Sequence, residues 1–95
     1  MTKVINRNNL DALEEAFAAG IAVDIMRPGP YGNPFRVKGM LREEAIRRYE
    51  LMLKEPAFEP WLTIHLPKLK DKVLVCACKP LPCHGDVLAK LADAL

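Results

Sequence analysis

The apolar positions change period several times along the chain, and each change marks an element. Leu41, Ala45, Ile46, Tyr49, Met52 and Leu53 recur at helical spacing with charged residues between them, which predicts an amphipathic helix over Leu41–Lys54. Leu10–Ala19 reads the same way. Leu10, Leu13, Phe17 and the neighbouring alanines fall along one side, Asn8 or Asn9 can cap the start, and Gly20 stands where the helix ends. Gly85–Leu95 gives the last helix, with Val87, Leu88, Leu91 and Leu95 on one face and Asp86 in the first turn. Glu59–Leu69 reads as a further helical piece, opened by Pro60 and cut short by Pro67.

Shorter β-branched runs predict strands. Val4 and Ile5 lie in one over Thr2–Asn6; Ile21–Met26 and Lys72–Ala77 are two more, both buried. Loops are signalled between them. Arg27–Phe35 carries three prolines and two glycines in nine residues, and Pro80 and Pro82 break the chain again after the third strand. Phe35-Arg36-Val37 reads as a short extended piece before Gly39. Strands alternating with helices predict the α/β class, a small mostly parallel sheet of about three strands flanked by three to four helices, in one domain over residues 1–95. Ligands of such sheets collect beyond the carboxyl ends of the strands, where both loops fall.

Composition fits a packed core: 51% of the 95 residues are hydrophobic and 27% charged. A small chain this apolar could also bury surface in a homodimer. The formal net charge of +2 is too small to argue for nucleic acid alone. Arg27, Arg36, Lys38, Arg42, Arg47 and Arg48 still make the middle third basic, as a solvated helix face or as a surface that meets phosphate. The opening MTKVINRNNL lacks an apolar leader, and no run is long enough to span a membrane. Free or metal-bound thiols in a reducing cytoplasm are the simplest reading of Cys76, Cys78 and Cys83.

Two constellations carry candidate chemistry. In the first, Cys83 and His84 stand at the start of the last helix. Unpaired backbone N–H groups there would lower a thiol pKa, making Cys83 a candidate nucleophile with His84 and Asp86 beside it and Cys78 near. The same residues admit a zinc site of Cys76, Cys78, Cys83 and His84, although a spacing tighter than CxxC and two adjacent donors argue against it. They also admit plain packing, above all for Cys76. In the second, Arg27 can hold a carboxylate or phosphate, Gly32 can let backbone approach a ligand, Asn33 can read a polar edge and Tyr31 can stack on a ring. The alternative is a rigid turn whose polar groups satisfy their own backbone. Glu43 and Glu44 complement a helix dipole, and His65, Phe58 and Trp61 read as structural. No GxGxxG, P-loop or HExxH pattern occurs.

Arg27-Pro28, then Gly32-Asn33-Pro34-Phe35, Tyr49 in a helix, and Cys76-x-Cys78-x-Pro80-x-x-Cys83-His84-Gly85-Asp86-x-Leu88 together resemble the domain of unknown function 4326 family, short proteins of phages and bacteria. Ala77 stands where that family usually has an aromatic residue, and Gly29-Pro30-Tyr31 replaces its Ser or Lys plus Trp. A more distant likeness is to the domain of unknown function 488 group, which also places a Cys-rich loop between a strand and a helix start. Both likenesses imply an α/β scaffold and neither implies a reaction. Two function classes follow. One is a domain binding or processing a nucleotide, base or nucleic acid, with Arg27, Asn33, Cys83, His84 and Asp86 in one pocket. The other is a non-catalytic phage-type protein that binds a host protein through an exposed apolar patch.

Overall fold

The computed structural model describes residues 1–35 and 40–95. Arg36, Val37, Lys38 and Gly39, and with them most of the expected extended piece, lie outside the described residues. Three strands form one all-parallel sheet in the order β1-β3-β2: β1 is Lys3–Asn6, β2 is Ala22–Asp24 and β3 is Val73–Cys76. Val4 and Val23 both stand opposite Leu74. The central strand is buried on both faces, with Leu74, Val75 and Cys76 all inside, as its unbroken apolar run requires.

The helices are α1 (Leu10–Ala18), α2 (Arg42–Leu53), α3 (Glu59–His65) and α4 (His84–Asp93). Asn9 caps α1 by accepting from the Ala12 N–H. The helix ends in a Schellman turn: Ile21 N–H bonds Ala16 carbonyl, Gly20 N–H bonds Phe17 carbonyl, and Gly20 takes φ +70°, which a side chain would resist. The expected helix over Glu59–Leu69 divides instead. Pro60 sits in the first turn of α3, while Pro67 has no N–H to continue the ladder, so Leu66–Lys68 tightens to a 3-10 turn.

Helix α4 packs on β1 and β3, and α2 packs on α4. Tyr49, Leu53, Leu69, Leu74, Leu88 and Ile25 interlock in the core between them. Each such full burial is worth about 1.5–3 kcal/mol. Two faces differ from their sequence patterns. Leu10 and Phe17 are 69% and 67% exposed, and only Ala16 of α1 is buried. Leu10 and Phe17 therefore meet solvent, while Ala12, Leu13 and Ala16 turn inward where this nine-residue helix meets the edge strand β2. Leu41 and Leu95 also lie outside, Leu41 as the residue before α2 and Leu95 beyond the end of α4. Among the described residues no helix is long and apolar enough to cross a membrane.

Candidate functional site: an arginine-lined cleft

At the carboxyl ends of the strands the backbone ladder runs on past the sheet. Arg7 N–H donates to Cys76 carbonyl at 2.7 Å, and Ile25 N–H donates to Val75 carbonyl at 3.2 Å. Asn6 Nδ2 donates to Lys79 carbonyl at 2.6 Å, which draws the Cys78–Cys83 loop over the end of β1. These bonds bring the three post-strand segments together around a cleft of about 270 Å³. Arg27, Asn33, Cys78, Cys83 and His84 all line it, so residues some fifty positions apart share one hollow. Arg7 and Arg42 line it as well. None of Arg7, Arg27 and Arg42 forms an ion pair among the described residues, and no Asp or Glu shares the lining.

The start of α4 is organised differently from the sequence expectation. Cys83 is the N-cap residue. Its Sγ accepts from Gly85 N–H at 3.3 Å, and Asp86 carboxylate accepts from Cys83 N–H at 3.1 Å, a capping box with sulfur in place of a hydroxyl. Cys83 is 1% exposed. Burial drives its thiol pKa well above the usual value against the pull of the Gly85 N–H bond, and the neighbouring Cys76 adds to the rise. The expected low-pKa nucleophile is thus a protonated, buried cap: desolvation outweighs the helix terminus.

His84 Nε2 lies 2.7 Å from Ile25 carbonyl. A carbonyl only accepts, so Nε2 carries the proton and Nδ1, 3.7 Å from Cys83 Sγ, holds the lone pair. Burial lowers the His84 pKa, opposed by the Ile25 carbonyl bond and reinforced by the Arg27 charge. Low on His84 and high on Cys83, the shifts hold the two side chains as neutral imidazole and thiol rather than as an ion pair. Asp86 stays out of this arrangement. One carboxylate oxygen serves the cap and the other pairs with Lys79 at 2.6 Å, so no Asp86–His84 relay forms. Among the described residues no three His, Cys, Asp or Glu side chains are disposed to hold a metal ion; Cys76, Cys78, Cys83 and His84 do not assemble as a zinc ligand set.

The Arg27–Phe35 loop likewise spends most of its polar groups on itself. Asn33 Oδ1 accepts from Phe35 N–H at 2.9 Å and its Nδ2 donates to Ala45 carbonyl at 3.3 Å, fastening the loop to α2. Tyr31 is buried, edge-on to Trp61 and His65, and its carbonyl accepts from Tyr49 hydroxyl at 2.9 Å. Its ring is a core element and does not line the cleft. Gly32 leaves room for Arg27: a Cβ there would stand 2.7 Å from Arg27 Cγ and 2.9 Å from Arg27 Cα. Gly85 similarly admits α4 against the strands, where a Cβ would meet Ile25 Cδ1 at 2.6 Å. His65, Phe58 and Trp61 pack as structural residues, as expected. Arg47 and Arg48 both pair with Glu44 on the outer side of α2, whereas Arg27 and Arg42 line the cleft; Arg36 and Lys38 lie outside the described residues.

Sequence reasoning missed Arg7 and Arg42 as cleft residues. Arg7 had a usable signal, since it is the first residue after β1. Arg42 opens α2, and only the tertiary arrangement sets it beside the strands.

The fold and site define a small parallel α/β protein with a cationic cleft at the carboxyl edge of its sheet. The chain belongs to the domain of unknown function family DUF4326, whose model matches residues 9–94. It is similar to an uncharacterized 12.4 kDa protein of the nrdA-td intergenic region of Enterobacteria phage T4, at 29% identity over 96 residues, covering 100% of this chain and 89% of that protein. No solved structure matches the chain significantly.

Proposed function

We propose that the cleft binds a phosphate-bearing small ligand of nucleotide type. The observation that carries this reading is the gathering of Arg7, Arg27 and Arg42 in one hollow without a carboxylate in its lining. A guanidinium fork matches phosphate oxygens two at a time, and such bonds are stronger inside a partly enclosed site than in open water. Met26, Phe35 and Ile46 add apolar wall against which a base or sugar can rest. At about 270 Å³ the cleft lies just below the ~300–1,000 Å³ usual for small-molecule sites, which suits a compact ligand. In this reading Cys83 and His84 shape the floor, Asp86 fixes the entry of α4, and none of them is a reacting group.

Titration calorimetry at low salt with inorganic phosphate and with adenosine monophosphate tests it. Both bind, and Arg27→Ala weakens both by about tenfold, some 1.4 kcal/mol, with no loss of folded stability. No heat for either ligand, or unchanged affinity in the variant, would overturn the reading.

The exposed Leu10 and Phe17 on α1 favour a second reading, a host-protein contact through that helix. A partner whose binding is lost on Leu10→Ser and Phe17→Ser but kept on Arg27→Ala would support it. Loss with Arg27→Ala alone would count against it.

A further inference from the structure

We infer that the cleft is built for a ligand with two or more linked phosphoryl groups, a nucleoside diphosphate or triphosphate, in preference to a monophosphate. This inference rests on the phosphate reading above and narrows it.

The argument is one of charge and origin. A phosphate monoester carries about −1.5 to −2 charges near neutral pH. Two arginines, each engaging a pair of oxygens, neutralise it and occupy its terminal oxygens. Among the described residues the cleft offers three, and they arrive from three separate places: Arg7 after β1, Arg27 after β2 and Arg42 at the start of α2. A monophosphate would leave the third guanidinium facing two others with no anion between them. A linked pair of phosphoryl groups supplies the missing charge and enough oxygens for a third fork.

Other cations near this end of the molecule are compensated among the described residues. Lys79 pairs with Asp86 at 2.6 Å, and Arg47 and Arg48 share Glu44 at 2.7 and 3.0 Å. The chain has 12 acidic residues for its 14 Lys and Arg, so carboxylates are abundant, yet none enters the cleft lining among the described residues. Three like charges gathered in one concave site repel each other, and a polyanion is the ligand that relieves this. Nucleic acid fits less well, because its phosphodiesters carry one charge each and are spaced along a strand, whereas the three arginines share a single compact hollow.

Calorimetry on the intact protein with phosphate, pyrophosphate, adenosine monophosphate, adenosine diphosphate and a short single-stranded oligonucleotide separates the cases. Pyrophosphate binds at least about tenfold more tightly than phosphate, and the diphosphate exceeds the monophosphate by a similar factor. Arg7→Ala and Arg42→Ala each bring both ratios within about threefold while phosphate itself still binds. Equal affinity for phosphate and pyrophosphate overturns the inference and leaves the phosphate reading standing. An oligonucleotide that outcompetes the diphosphate overturns the inference in favour of nucleic acid. Failure of every probe overturns both readings.

Discussion

At the amino-terminal edge of the sheet, Thr2, Asp71 and Asp93 answer one another. Thr2 hydroxyl donates to Asp93 at 2.7 Å, Thr2 N–H donates to the same carboxylate, and Asp71 N–H donates back to Thr2 Oγ1 at 3.0 Å. At the opposite edge Arg7, Arg27 and Arg42 surround a hollow and have no carboxylate to meet. Both edges are rich in polar residues, and both bring together segments far apart in the chain. The first uses its polar groups to close the structure; the second leaves charge unspent. A polar cluster becomes a candidate site when its hydrogen-bonding capacity exceeds what its own backbone can absorb. By that measure Asn33, Cys83 and Asp86 belong with the closed edge even though they sit beside the open one.

The contrast can be sharpened first with thiol chemistry, where the effect is largest. Cys78 is half-buried and lines the cleft, while Cys76 and Cys83 are each 1% exposed. Iodoacetamide should label Cys78 more than ~100-fold faster than the other two, which react only when the fold opens. Peptide mass spectrometry reads the three sites separately, and labelling of Cys83 at a comparable rate would break the account of the cap.

A substitution at the closed edge comes next. Thr2→Val keeps the shape but leaves Asp71 N–H without its partner and removes one bond to Asp93, at a cost of about 1–3 kcal/mol in urea denaturation. Ligand affinity at the far edge should not change.

Acidification separates the edges by pH. The His84 pKa is lowered in the fold by burial, so below the ordinary histidine value of about 6.5 the unfolded chain takes up the proton more readily. Stability from this source is complete above that value and falls as pH drops toward the folded pKa. The unfolding midpoint should decline as pH falls below about 6.5, and His84→Gln, which retains an N–H donor for Ile25 carbonyl, should flatten that decline. Asp93 follows later. Its bonds from Thr2 lower its pKa, so its contribution holds above the ordinary carboxylate value and is lost only as pH falls below about 4.

The smallest effect is expected at the open edge itself. Arg7→Ala and Arg42→Ala should each change folded stability by no more than about 0.5 kcal/mol, since neither arginine has an ion-pair partner to lose among the described residues. A large loss would show that the arginines are structural and would erase the contrast.

Much of this architecture was legible in the chain. The helical spacing from Leu41 to Leu53 and the β-branched runs at Ile21 and Lys72 marked their elements because burial on one or both faces demands those patterns. The loops at Arg27 and Cys78 were legible through proline and glycine, and their meeting followed from a general property of parallel sheets. The roles inside them were harder to see. A Cys…Asp pair three residues apart has the spacing of a capping box, but cysteine is an unusual cap, and its thiol pKa depends on burial that adjacent residues do not encode. Leu10 and Phe17 fall on the apolar side of their helix yet lie exposed, because periodicity reports which side of a helix is apolar and not whether anything covers it.

The strand order β1-β3-β2 has a consequence for synthesis. The two strands nearest the amino terminus never touch each other; each waits for the one translated last. On the ribosome, no rung of the sheet can be laid down until Val73–Cys76 has emerged from the exit tunnel, and α4 follows immediately behind. The nascent chain must therefore carry Val4, Ile5 and Val23 unpaired until the third strand is made, and the sheet assembles in one event rather than strand by strand.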